Sequence, residues 1–190
     1  PKRTIIAAHW GAEEQGLNGS SAFVEDHPEI VENLQALFNQ DNGTGRVAKI
    51  NGHGFTEAYR FIGEWLEHVP SDIKDDIETK FPGVPIPRYT YEENGVIRPA
   101  GGSSDWRNFV ASGVPGFNLT SFDFSYGGYS KYHYTWHTNR DTFDKIVFDD
   151  VRSNVILIAI LTYLASEEDE LMPRTRRVMP IDPQTGERME

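Results

Sequence analysis

The chain has 190 residues, 38% hydrophobic and 25% charged, a composition that belongs to a folded globular protein and not to a disordered one. Its 29 acidic residues outnumber the 18 basic ones, and the net charge of −11 argues against a nucleic-acid partner, which requires a basic face for phosphates. No cysteine is present, so disulfides and thiolate metal sites are excluded, and any metal would be held by His, Asp and Glu.

In chain order, "TIIAAHW" (4 to 10) is apolar and β-branched and ends at Gly11, the pattern of a buried strand. A helix is expected after the "GLNGS" turn. "LQALFNQD" (34 to 41) predicts a second strand closed by "NGTG", and "RVAKIN" (46 to 51) a third, ending at "GHG". Phe55, Tyr59, Ile62, Leu66 and Val69 recur at steps of four and three, the stripe of an amphipathic helix that Pro70 stops. Residues 70 to 103 carry weak signals and five of the eleven prolines, and read as a long surface excursion. "SSDWRNFVASGVPGFNL" (103 to 119) predicts a capped helix, a turn and a strand. A Gly- and Tyr-dense loop then leads to "YHYTWHTNRDTFDKI", and a long apolar helix runs from an N-cap at Asp149 or Asp150 to about Ala165. The longest apolar run, "VILIAIL", is too short to span a bilayer. Strands alternating with helices predict an α/β domain over residues 1–170, with 171–190 a polar tail outside the core.

In such folds ligands sit beyond the carboxyl ends of strands. The adjacent carboxylates of Glu13 and Glu14 follow the first apolar segment, and Asp41 ends the second. Two like charges in contact raise each other's pKa unless a cation intervenes, which makes the pair either an exposed acidic turn or part of a metal site. His137, within "WHTNRDT", has polar neighbours that could orient an imidazole; His133 is its rival, and His9, His27, His53 and His68 have no distinguishing context. Neither a nucleophile elbow nor a phosphate loop is present. A glutamate pair, a strand-end aspartate and a late histidine form an oxygen-and-nitrogen donor set, with one carboxylate left over as a base for a metal-bound water.

The ordered pieces "GAEEQGLNGS", "LFNQDNGTG", "SSDWRNFVASGVPGFNL" and "HTNRDTFDKI" closely resemble the zinc aminopeptidase family that includes plasma glutamate carboxypeptidase. The resemblance implies a zinc-exopeptidase-like three-layer α/β sandwich, a mixed sheet between helices, and two zinc ions in the complete enzyme. By motif, Glu13 matches the general base, Glu14 and His137 match ligands of one zinc, and Asp41 matches a ligand of the other. Asp105, with Gly101 to Ser104, matches a substrate-positioning wall of the cleft. Trp136 stands where the family often has tyrosine. The family's upstream His-x-Asp motif occurs nowhere in these residues, so the chain is expected to be a carboxyl-terminal portion, incomplete at its N-terminus, with weak or partial zinc. The implied function is metal-dependent exopeptidase action on peptides, secreted or periplasmic, with the missing segment or a second copy as partner. The alternative is a non-catalytic peptidase-like binding or assembly domain.

Overall fold

The computed structural model describes residues 1–41, 43–80, 89–93, 96–100, 104–121, 135 and 137–175. Four strands, β1 (Leu37–Gln40), β2 (Val47–Asn51), β3 (Glu78–Lys80) and β6 (Gly116–Ser121), form a mixed sheet in the order β1-β6-β2-β3. β6 runs parallel to β1 and antiparallel to β2, and β2 runs parallel to β3. A separate antiparallel pair joins β4 (Tyr89–Glu93) to β5 (Val96–Ala100).

Alternation along β6 gives the sheet two unlike faces. Phe117 and Leu119 are fully buried on one of them, where Phe38 stacks on Phe117 with ring centroids 5.3 Å apart. Helices α3 (Ala58–Leu66) and α6 (Phe148–Glu167) cover this face through Phe61, Ile62, Trp65, Leu157 and Leu161, which form the main core. Asn39 and Asn118 occupy the other face, under α5 (Trp106–Ala111). There α5 packs against α1 (Asn18–Asp26), and Phe109 and Val114 build a smaller core with Val31 of α2 (Pro28–Asn33). Helices on both faces of a mixed sheet are the three-layer α/β arrangement the sequence implies.

Several elements depart from expectation. Residues 4–10 join no strand ladder among the described residues, and Ile5 and Ile6 are 45% and 49% exposed, so this apolar segment is not the buried strand its composition predicts. β-Propensity describes how a side chain fits a packed pleated surface, and this segment lies on none. In α3 the buried stripe is Ala58, Phe61, Ile62 and Trp65, while Tyr59 faces solvent. Pro70 does not itself stop that helix; it precedes the short α4 (Ser71–Lys74). The 70–103 stretch is also no mere surface excursion: Ile73 is buried, and β3 completes the sheet through its register with β2 despite a polar sequence. The N-cap of α6 is Val147, and Asp149 and Asp150 occupy its first turn, where they complement the helix dipole. Met172, in the segment expected outside the core, is buried; its amide donates to Gln35 Oε1 at 2.9 Å, and Gln35 Nε2 donates to the Glu170 carbonyl at 3.0 Å. Residues 176–190 lie outside the described residues.

Candidate active site

The loop bearing the glutamate pair is a tight turn leading into α1. The Glu13 carbonyl accepts from the amides of Gly16 and Leu17 at 3.0 and 2.8 Å, and the Gly11 carbonyl accepts from the Gly19 amide at 3.0 Å. Ala12 and Leu17 adopt left-handed backbone at φ 56° and 61°, a sterically costly conformation for residues with a Cβ. Gly19 permits the close approach: a Cβ there would stand 2.6 Å from the Gly11 oxygen. Asn108 of α5 secures the start of α1, its Nδ2 donating to Ser20 Oγ at 2.8 Å and to the Leu17 carbonyl at 3.3 Å.

Asp41 follows β1 directly and is exposed as a residue, with its carboxyl partly shielded by its neighbours, and Ser104 and Asp105 lie buried at the start of α5. Asp105 stands at the N-cap position but makes no capping bond, so "capped helix" does not describe α5; its Oδ1 is buried with no hydrogen-bond partner among the described residues. His137, also left-handed at φ 55°, lies inside a turn that Thr138 closes by donating its amide and hydroxyl to the Thr135 carbonyl. His137 Nε2 lies 2.9 Å from Glu14 Oε1.

The electrostatics link these groups to one another. Burial, then Asp41, Glu14 and Asp105, push the Glu13 carboxyl above the usual range, with His137 opposing. Burial also pushes Asp41 up, as do Asp105 and Glu14, while a hydrogen bond from Ser104 and the nearby His137 act the other way. Four carboxylates and one imidazole thus share one region. Oxygen and nitrogen donors, mutual repulsion between carboxylates and the unpartnered buried oxygen of Asp105 suit a divalent cation. Glu14 and His137 are the two donors in contact; among the described residues no group of three or more His, Asp or Glu stands ready to hold a metal ion.

Glu13, Glu14, Asp41, Asp105 and His137 are therefore brought into one region from distant parts of the chain. Trp136 and His133 lie outside the described residues. His53 has a context the sequence hides: it is buried, with its ring stacked 3.6 Å from that of Trp106. Asn39 and Asn108, which tie the site to the sheet and to α1, also escape sequence reasoning, although an asparagine two residues before Asp41 in a short strand is a legible irregularity. No described helix is long and apolar enough to cross a membrane.

Among curated proteins, carboxypeptidase Q of Xenopus laevis is 27% identical over 177 residues, covering 92% of this chain and 32% of that protein. A protein named probable glutamate carboxypeptidase in Arabidopsis thaliana is 32% identical over 148 residues, covering 72% of this chain and 20% of its own length. The chain thus spans between a fifth and a third of these relatives. Among solved structures, a peptidase M28 precursor from Shewanella amazonensis superposes with a TM-score of 0.62 at 21% identity, over 88% of this chain and 33% of that one. The zinc aminopeptidase BSAP from Bacillus subtilis does so with a TM-score of 0.53 at 18% identity, over 85% and 38%. These likenesses agree with the fold. The profile of peptidase family M28 matches residues 1–162, and the chain belongs to that family.

Proposed function

We propose that this chain carries the catalytic region of a zinc-dependent exopeptidase acting on peptides outside the cytoplasm. The observation that carries the reading is the 2.9 Å contact of His137 with Glu14, beside a Glu13 carboxyl that feels Asp41 and Asp105. Glu14 and His137 would hold one zinc, and Asp41 would contribute to a second. When bound, zinc supplies a Lewis acid for the scissile carbonyl and lowers the pKa of a coordinated water to about 7. Glu13 is the proton acceptor: the residue is half-buried and lies close enough to Glu14 and His137 to feel both charges. Its tightly hydrogen-bonded turn holds the main chain that carries this carboxylate. Asp105, which is buried, would form a wall against which substrate is positioned; Trp136, next to His137 in the sequence, is the other candidate positioning residue.

A second reading, a non-catalytic peptidase-like binding domain, is favoured by the lack of any three-donor group among the described residues. One pair of variants decides between them. In the intact protein, Glu13→Gln should retain zinc and lose turnover of peptide substrates by ~10²–10⁴, the range typical of general acid–base catalysis. Glu14→Gln should lose zinc affinity, with activity partly restored by excess metal. Full activity in both variants would leave the pair as an acidic turn and overturn the catalytic reading.

A further inference from the structure

The turn that carries Glu13 and Glu14 is bonded largely to itself: the carbonyls of Gly11, Ala12, Glu13 and Leu17 accept from amides between residues 16 and 21. Among the described residues, two polar contacts reach it from elsewhere in the chain. One is His137 on Glu14. The other comes from Asn108 of α5, 91 residues beyond Leu17. Asn108 Nδ2 donates to Ser20 Oγ at 2.8 Å and to the Leu17 carbonyl at 3.3 Å, and the Ser20 hydroxyl donates to that same carbonyl at 3.1 Å. Leu17, Ser20 and Asn108 are all buried.

Chemistry sets the direction of each bond. A backbone carbonyl only accepts, so the Asn108 amide must turn its nitrogen, with two hydrogens for two acceptors, toward Leu17 and Ser20. An Asn108 flipped by half a turn would set its own oxygen against that of Leu17. Ser20 gives its single hydrogen to Leu17 and keeps its lone pairs for Asn108.

Leu17 is a sensitive place to grip the turn. Its amide donates to the Glu13 carbonyl at 2.8 Å, and its backbone, like that of Ala12, is left-handed. Residues forced into that region have few alternative conformations, so the turn shifts as a unit and a bond on Leu17 places residues 13 and 14 as well. Behind Asn108, α5 is fixed in turn. Phe109 is buried in the smaller core, and Trp10, just ahead of the turn, packs on it with ring centroids 5.6 Å apart.

We propose that Asn108 is a positioning residue, which sets the placement of the Glu13–Glu14 turn and with it the reach of the Glu14 carboxylate to a metal shared with His137. The inference rests on Glu14 being a ligand, as proposed above. It gives a reason for a buried amide on a helix whose other buried side chains are Trp106, Phe109 and Val110, since burying an amide is costly unless its hydrogen bonds are made.

The test is titration calorimetry of the intact protein with zinc chloride, alongside urea denaturation of each variant. Asn108→Leu, which keeps the approximate volume and removes both donors, should weaken zinc binding ~10-fold or more, within the 10–100-fold typical of groups that orient metal ligands. Ser20→Ala removes one of the two acceptors and should weaken it less, and the double variant should be no weaker than Asn108→Leu, because both act through one tether. Gln35→Ala, whose partners are Met172 and Glu170, is the control: it should lose stability in urea and keep its zinc affinity. If Glu14→Gln loses affinity while Asn108→Leu keeps it, or if Gln35→Ala loses as much affinity as Asn108→Leu, the positioning role is overturned and the ligand assignment stands. Should Asn108→Leu fail to fold, Ser20→Ala decides, and unchanged affinity there overturns the role. If Glu14→Gln itself leaves affinity unchanged, the ligand assignment falls and the positioning role falls with it.

Discussion

Replacing Gly19 with alanine tests whether the glutamate-bearing loop is seated on α1 as described. The added Cβ would stand 2.6 Å from the Gly11 carbonyl oxygen and 2.8 Å from its nitrogen, and both are backbone atoms that cannot rotate away. Restoring ordinary van der Waals contact requires the two segments to part by roughly 0.8 Å, enough to break the 3.0 Å bond from the Gly19 amide to the Gly11 carbonyl. Overpacking of this kind costs about 1–3 kcal/mol, against which alanine's helix preference recovers at most ~1 kcal/mol. The net expectation is a loss of ~1–2 kcal/mol, or a few degrees in melting temperature for a domain of this size. Gly63, inside α3 with nothing within 4 Å of its virtual Cβ, is the internal control: Gly63→Ala should gain up to ~1 kcal/mol. Urea denaturation followed by circular dichroism measures both. If Gly19→Ala stabilises as Gly63→Ala does, residues 11 and 19 are not in contact and the loop geometry is wrong.

Other perturbations probe the same structure. The raised Glu13 and Asp41 carboxyls make the folded metal-free chain bind more protons than the unfolded chain between the ordinary and the raised pKa. Its stability should therefore fall as pH rises through that window, and Asp41→Asn should flatten the dependence in melts recorded across pH. Zinc at a hundred times its dissociation constant should raise the stability at neutral pH by about 2.7 kcal/mol, and a chelator should reverse the gain. Gln35→Ala strands the buried Met172 amide and should cost about 1–3 kcal/mol by denaturant titration. Leu157→Ala, at a fully buried position of α6, should cost about 2–5 kcal/mol by the same measurement.

What the sequence discloses divides along physical lines. β1, β2, α5, β6 and α6 are legible because hydrophobic period and turn residues specify them locally, and most of their boundaries fall within a few residues of expectation. β3 is not legible, since Glu78, Thr79 and Lys80 carry no apolar pattern and are strand only by pairing with β2. Residues 4–10 mislead in the opposite sense: strong strand composition without a ladder among the described residues. At the site, Glu13, Glu14, Asp41 and His137 stand out because carboxylates and imidazoles after strands are conspicuous, and motif order adds the rest. Asn39 and Asn108 stay hidden because their importance lies in partners 65 and 88 residues away. Such partnerships exist only once the chain has folded.

That dependence has a kinetic side. β1 and β6 align residues 79 positions apart, and the cluster of charges draws on the loop at 13–14, the strand end at 41, the start of α5 and the turn at 137. A pairing this remote in sequence must close a long loop before any contact repays the lost chain entropy, which places it late on the folding route. During synthesis the glutamates emerge well before His137, the histidine that one of them contacts. The nascent chain therefore presents an acidic segment and no assembled cation site until the second half of the domain has left the ribosome. Any metal held by these groups would then seal a finished architecture instead of nucleating one.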